Sequence, residues 1–97
     1  MKIKKIRHEI DLIDTEIVKL LSRRSSLVSE ASKNKKSIDA VRDPQRVETI
    51  IKSVRQKAVK TGLDPQIAET IYRNIIDCFI IQEIVEFNGM IIEYQDI

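Results

Sequence analysis

Residues 6–35 read IRHEIDLIDTEIVKLLSRRSSLVSEASKNK, without Gly or Pro. The apolar residues Ile6, Ile10, Ile13, Ile17, Leu20, Leu21, Leu27, Val28 and Ala31 recur at steps of three and four, which is the stripe of one long amphipathic helix. Thirty helical residues span roughly 45 Å, more than the width of a domain of this size. A rod of that length cannot bury its stripe against two shorter helices alone, so the pattern predicts a second copy of the chain. Arg24 and Lys35 are eleven residues apart, which on a helix returns them to nearly one face, roughly 16 Å apart. Arg7 lies seventeen residues before Arg24, roughly 25 Å away and turned by about 100°. No small metabolite touches all three on one straight helix, so a ligand shared by them must take Arg7 from another chain. From spacing alone the default reading of these cations is a solvated basic face.

Outward from this helix, residues 37–42 break the pattern and read as a loop. Lys33, Lys35 and Lys36 suit the last turn of the first helix, where cations complement the helix dipole. Asp43-Pro44 starts a second helix, with Asp as N-cap and Pro at the first helical position. It carries Val47, Ile50, Ile51, Val54 and Ala58 and stops at Thr61-Gly62. Asp64-Pro65 repeats the start signal for a third helix, which carries Ile67, Ile71, Ile75, Phe79 and Ile80 and runs to about Asn88, with Asn88-Gly89 as its cap. The tail, residues 90–97, is apolar and short, and either packs on a partner subunit or frays. The prediction is an all-α protein of three helices in a single domain over residues 1–97, with its core in 2–88 and a tail over 89–97.

The 97 residues are 42% hydrophobic and 33% charged, with aromatics at 4%, a composition that suits a helical soluble protein. A net charge of +2 gives no independent reason to expect nucleic acid. Lys2, Lys4 and Lys5 are followed at once by Glu9, Asp11, Asp14 and Glu16, and no aromatic residues interleave the basic ones. The N-terminal residues MKIKKIRHEI lack an apolar signal core, and no run reaches transmembrane length. Cys78 is the only cysteine, which excludes an internal disulfide and points to a reducing cytoplasm. Its apolar surroundings on the third helix predict a buried, inert thiol. With one His and one Cys far apart, no metal site is expected, and His8 reads as a surface or interface residue. Gly62 and Gly89 are the only glycines, so a phosphate-cradling loop is excluded, and no nucleophile-elbow sequence supports a catalytic triad.

Several short pieces become specific in combination. In order they are Ile6-Arg7, Ile10, Ile13-Asp14, Leu20-Leu21-x-Arg23-Arg24, Lys35, Arg42-Asp43-Pro44-x-Arg46, Gly62-Leu63-Asp64, and Ile75-Ile76 followed by Glu83. In this order and spacing the chain resembles the AroQ-class chorismate mutase family over about residues 6–88. The Arg46-Val47 pair is similar to its isochorismate pyruvate-lyase relatives. The resemblance implies an intertwined helical homodimer with two active sites, a small dicarboxylate substrate and no cofactor. It implies that Arg24, Lys35 and Arg46 come from one chain and Arg7 from the other. Arg7, Arg24 and Arg46 would bind substrate carboxylates, for which the planar guanidinium fork is suited. Lys35 would face the ether oxygen that gains charge in the rearrangement, and Glu83 would face it too. Asp43 would stand near the site entrance.

Two positions depart from the mutase pattern. Mutases usually carry Glu where this chain has Val47, and lyase-type relatives carry Val; Val47 also fits the apolar stripe of its helix. Glu83 stands where many members, lyases included, carry Gln, and where some mutases carry Glu. The expected activity is chorismate mutase, with isochorismate pyruvate-lyase as the alternative, then a mutase of 4-amino-4-deoxychorismate, then a non-catalytic helical dimer.

Overall fold

A computed structural model describes residues 2–95 of the chain, with side chains described to residue 89. It is all-α: α1 (Ile3–Ser32), α2 (Ile38–Arg42), α3 (Pro44–Thr61) and α4 (Pro65–Gln95). The long first helix and both Asp-Pro starts stand where the sequence places them. Asp43 caps α3 by accepting from the Arg46 backbone N–H at 3.1 Å, and Asp64 accepts from that of Gln66 at 2.8 Å. Gly62 ends α3 at φ +80°, a left-handed conformation that a residue with a Cβ adopts only at a cost. Its neighbour Leu63 closes the cap by donating to the Ala58 carbonyl at 2.9 Å.

Three boundaries differ from the sequence reading. First, α1 ends at Ser32, so Lys33, Lys35 and Lys36 lie beyond its last full turn rather than in it. Second, residues 38–42 are a short helix and not a loop: Ser37 accepts from the Ala40 backbone N–H at 3.1 Å and Asp39 sits in the first turn. Third, α4 does not stop at Asn88-Gly89 but continues through Gly89 to Gln95. A helical Gly costs only about 1 kcal/mol, and the apolar residues after it continue the run. The packing of tail residues 90–97 lies outside the described side chains.

α3 and α4 form an antiparallel hairpin, α2 packs on α4, and the C-terminal part of α1 lies along α4. Among the described side chains the buried apolar core is small: Val41, Ile51, Ala58, Ala68 and Ile76. Across the hairpin an ionic staple joins α3 to α4. Arg73 reaches Glu48 at 3.1 Å and Glu69 at 2.8 Å, and Arg55 reaches Glu69 at 2.8 Å. No helix among the described residues is long and apolar enough to cross a membrane.

The molecule is 63 Å long and has a radius of gyration of 17.2 Å. A compact domain of this length has about 12–13 Å. The difference arises from α1, whose N-terminal half projects with Ile6, Ile10, Ile13 and Ile17 all exposed. A second exposed row on α4 is formed by Ile67, Ile71, Ile81 and Val85. Cys78 lies in that row at the same four-and-three spacing and is exposed, not buried as its apolar neighbours suggest. The stripe locates an apolar face but does not say that the same chain covers it.

Candidate active site

The C-terminal end of α1, the turn after it, α2, the start of α3 and the middle of α4 enclose a cavity of about 320 Å³. Arg24, Lys35, Asp43, Arg46, Val47 and Glu83 all line it. Six of the seven candidate residues from the sequence therefore meet in one place. Arg7 does not: it is exposed on the projecting part of α1.

Each wall has a local cause. Lys35 is not on the helical face inferred from its spacing to Arg24. It follows the end of α1, where its backbone N–H donates to the Ser32 carbonyl at 3.1 Å. That turn brings Lys35 Nζ to 3.1 Å from Glu83 Oε2. Glu83 is a buried residue of α4, and Oε2 is without a well-directed hydrogen bond, so the pair is held mainly by charge. Asp43 is the hinge between α2 and α3. Its φ of +30° is unusual for a residue with a Cβ, and its side chain is occupied by the α3 cap. That strain turns the chain sharply, so that Val41 enters the core while Arg46 faces the cavity.

Two wall residues carry more than the sequence reading gave them. Phe79, read only as part of an apolar stripe, lies under Arg24 with the guanidinium carbon 4.8 Å from the ring centre. This cation–π contact steadies the arginine without using its hydrogen-bond donors. Arg42 also lines the cavity. Its place directly before Asp43-Pro44 was the available signal. Gln82, by contrast, faces away from the cavity wall and bonds to Ser25 and Ser29 of α1.

The charges decide what the cavity suits. Among the described residues Arg24, Lys35, Arg42 and Arg46 supply four cations, against Asp43 and Glu83, which leaves an excess of two positive charges in the wall. The rest of the wall is largely aliphatic, including Leu27, Val28, Ile50 and Ile80. An apolar box with two uncompensated positive charges fits a small dianion whose body is hydrocarbon. A larger groove of about 540 Å³ between α3 and α4 shares Arg24 and Arg46 but contains neither Lys35 nor Glu83.

The family model for chorismate mutase type II matches residues 6–84, the span that contains every candidate residue. An isochorismate pyruvate lyase of Pseudomonas aeruginosa is 37% identical over 79 residues, 81% of this chain and 78% of that protein. A chorismate mutase of Methanocaldococcus jannaschii is 30% identical over 77 residues, 78% of each chain. The chain belongs to the chorismate mutase type II family.

Proposed function

We propose that the protein is a chorismate mutase that converts chorismate to prephenate in the cavity between α1, α3 and α4. The observation that carries the reading is the meeting of Arg24, Lys35, Arg46 and Glu83 around one apolar cavity with two excess positive charges. Chorismate is a dicarboxylate with an enolpyruvyl ether. In the rearrangement the ether C–O bond breaks as a C–C bond forms from the enolpyruvyl methylene to the ring. Both happen within one molecule, and no group is transferred to the protein. Arg24 and Arg46 bind the carboxylates and hold the flexible side chain over the ring, so the protein contributes orientation. Negative charge grows on the ether oxygen as the bond breaks. The Lys35 ammonium stabilises that oxygen more in the transition state than in the ground state, which is the condition for catalysis.

The functional unit in this reading is a homodimer in which Arg7 of the partner subunit completes each site. The exposed apolar rows of α1 and α4 and the small one-chain core support it. The lone cysteine supports a reducing, cytoplasmic compartment.

A second reading, isochorismate pyruvate-lyase, is favoured by one observation: Val47 lines the cavity. An apolar side chain there offers no acceptor to the ring hydroxyl of chorismate. The lyase reaction moves a ring hydrogen to the enolpyruvyl methylene while the ether breaks, and it draws on the same carboxylate clamps. Incubating the purified protein separately with chorismate and isochorismate and identifying the products tests both readings. Prephenate supports the mutase, salicylate with pyruvate supports the lyase, and no turnover of either overturns both.

A further inference from the structure

Behind the cavity, α1 and α4 are joined by a polar seam of five side chains. Ser25, Ser29 and Ser32 stand on one side of α1, and Gln82 and Glu86 stand a turn apart on α4. Ser25 Oγ donates to Gln82 Oε1 at 2.9 Å, and Gln82 Nε2 donates to Ser29 Oγ at 3.0 Å and to the Ser25 carbonyl at 3.1 Å. Ser29 Oγ donates to Glu86 Oε1 at 2.7 Å. Ser32 Oγ lies 3.1 Å from Glu86 Oε2 and 2.8 Å from the Ser29 carbonyl. Ser32 is 1% exposed, the most buried polar residue described.

The seam continues into the cavity through the backbone. The Ser32 carbonyl accepts from the Lys35 N–H, and Lys35 Nζ returns to α4 at Glu83, one turn before Glu86. Glu86, Ser32, Lys35 and Glu83 thus form a closed circuit between two helices. Because α1 stops at Ser32, no further helical turn holds Lys35. The Ser32 hydroxyl, shared between the Ser29 carbonyl at 2.8 Å and the Glu86 carboxylate at 3.1 Å, ties the last residue of α1 to α4 at the start of that turn.

We propose that Glu86, acting through Ser32, is a positioning residue that holds Lys35 at the reacting oxygen. Glu86 does not line the cavity, so it acts without touching the substrate. The proposal rests on the catalytic reading of Lys35 given above. A serine and glutamate seam is a costly way to pack two helices unless all its members are paired, and here they are paired in the one place that sets the height of Lys35 over Glu83.

The test uses the full chain and whichever of chorismate and isochorismate it turns over. Glu86→Ala is expected to lower kcat about 10- to 100-fold, the scale of a displaced catalytic group, with KM nearly unchanged. Glu86→Gln keeps hydrogen-bonding atoms toward both serines and is expected to restore most of the loss, whereas Ser32→Ala shows a smaller loss in the same direction. In a Lys35→Ala background, Glu86→Ala should add no more than about twofold, because the group it positions is gone. Independent losses that multiply in the double variant overturn the proposal, as does a Glu86→Ala protein with wild-type kcat. If Glu86→Ala fails to fold, Ser32→Ala in the two backgrounds decides by the same criterion. Hydrogen exchange at the Lys35 amide needs no substrate: it should speed up in Glu86→Ala or Ser32→Ala while amides within α3 stay protected, and unchanged exchange overturns the proposal. A wild-type protein that turns over neither substrate overturns the catalytic reading instead, and the exchange measurement still decides whether Glu86 orders Lys35.

Discussion

Lys35 Nζ stands 3.1 Å from Glu83 Oε2, inside a cavity that already holds Arg24 and Arg46. Before substrate arrives, this carboxylate is the partner of the one ammonium in the cavity wall. The Lys35 side chain is 28% exposed and that of Glu83 10%, so the cation is the member reachable from the cavity. Lys35→Ala is expected to lower kcat by about 100- to 1,000-fold, the usual cost of removing one preorganised donor from a developing oxyanion. Helix content by circular dichroism should not change, because Lys35 lies outside α1. A loss below tenfold would identify Lys35 as a surface lysine.

Glu83 has a second consequence. As a carboxylate it offsets the charge of Lys35 and repels a developing oxyanion. Glutamine at this position keeps the shape, removes that charge and can donate a hydrogen bond to the same oxygen. Glu83→Gln should therefore raise kcat. An unchanged kcat would remove Glu83 from the reaction. Gln82 offers no substitute amide, since its side chain is engaged with Ser25 and Ser29.

Val47 separates the two reactions. Val47→Glu places an acceptor on the cavity wall and should raise kcat/KM for chorismate relative to isochorismate. A bidentate or buried hydrogen-bond partner matters most when its absence leaves a polar group unpaired, so a change of more than about tenfold in the ratio is expected. An unchanged ratio would mean that Val47 only packs.

The parts of this fold that were legible in the sequence are those encoded by local chemistry. The stripe on residues 6–31 gave α1, and the two Asp-Pro caps gave the starts of α3 and α4 to within a residue. Ser37 was a cap in the same chemical sense, yet five residues make too short a helix to show a stripe, so α2 read as a loop. Gly89 failed as a stop signal because a glycine ends a helix only where the chain must turn left-handed, and here it stays helical. Cys78 failed for a different reason: periodicity reports a face, and burial of that face depends on what lies opposite. The site was legible through residue types, but the route of Lys35 was not. Its spacing to Arg24 suggested one helical face, whereas a turn held from α4 delivers it.

Arg7 tests the dimer and the shared site together. Arg7→Ala and Arg24→Ala proteins should each be weak alone. Mixed with subunit exchange, they form heterodimers with one site that has both arginines and one that has neither. Random exchange at equal amounts should recover about one quarter of the wild-type sites. Cys78 gives an independent reading, since the α4 row that carries it is exposed on one chain. A maleimide should label it slowly in the native dimer and fast in the unfolded chain. Fast native labelling together with no recovery on mixing would place Arg7 outside the site and leave the α4 row uncovered.

The ionic staple between α3 and α4 makes a prediction that does not involve the site. Hydrogen bonding from Arg73 holds the Glu48 carboxyl below its ordinary range. Arg73 does the same for Glu69, with Arg55 adding to it. The carboxylates push Arg73 up in return, Glu48 more than Glu69. Since folding lowers these two carboxyl pKa values, the stabilisation is fully present above the unfolded-state value of about 4.3 and is lost as pH falls through the lower folded-state values. All three groups are solvent-accessible, so the effect is modest and weakens in high salt. Arg73→Ala should therefore lower Tm at neutral pH, and the gap to wild type should narrow as the pH is taken below about 4.3 and as salt is raised. Melting curves over a pH series at low and high ionic strength measure both. A gap that persists unchanged in acid would assign the contribution of Arg73 to the packing of its aliphatic stem instead of its charge.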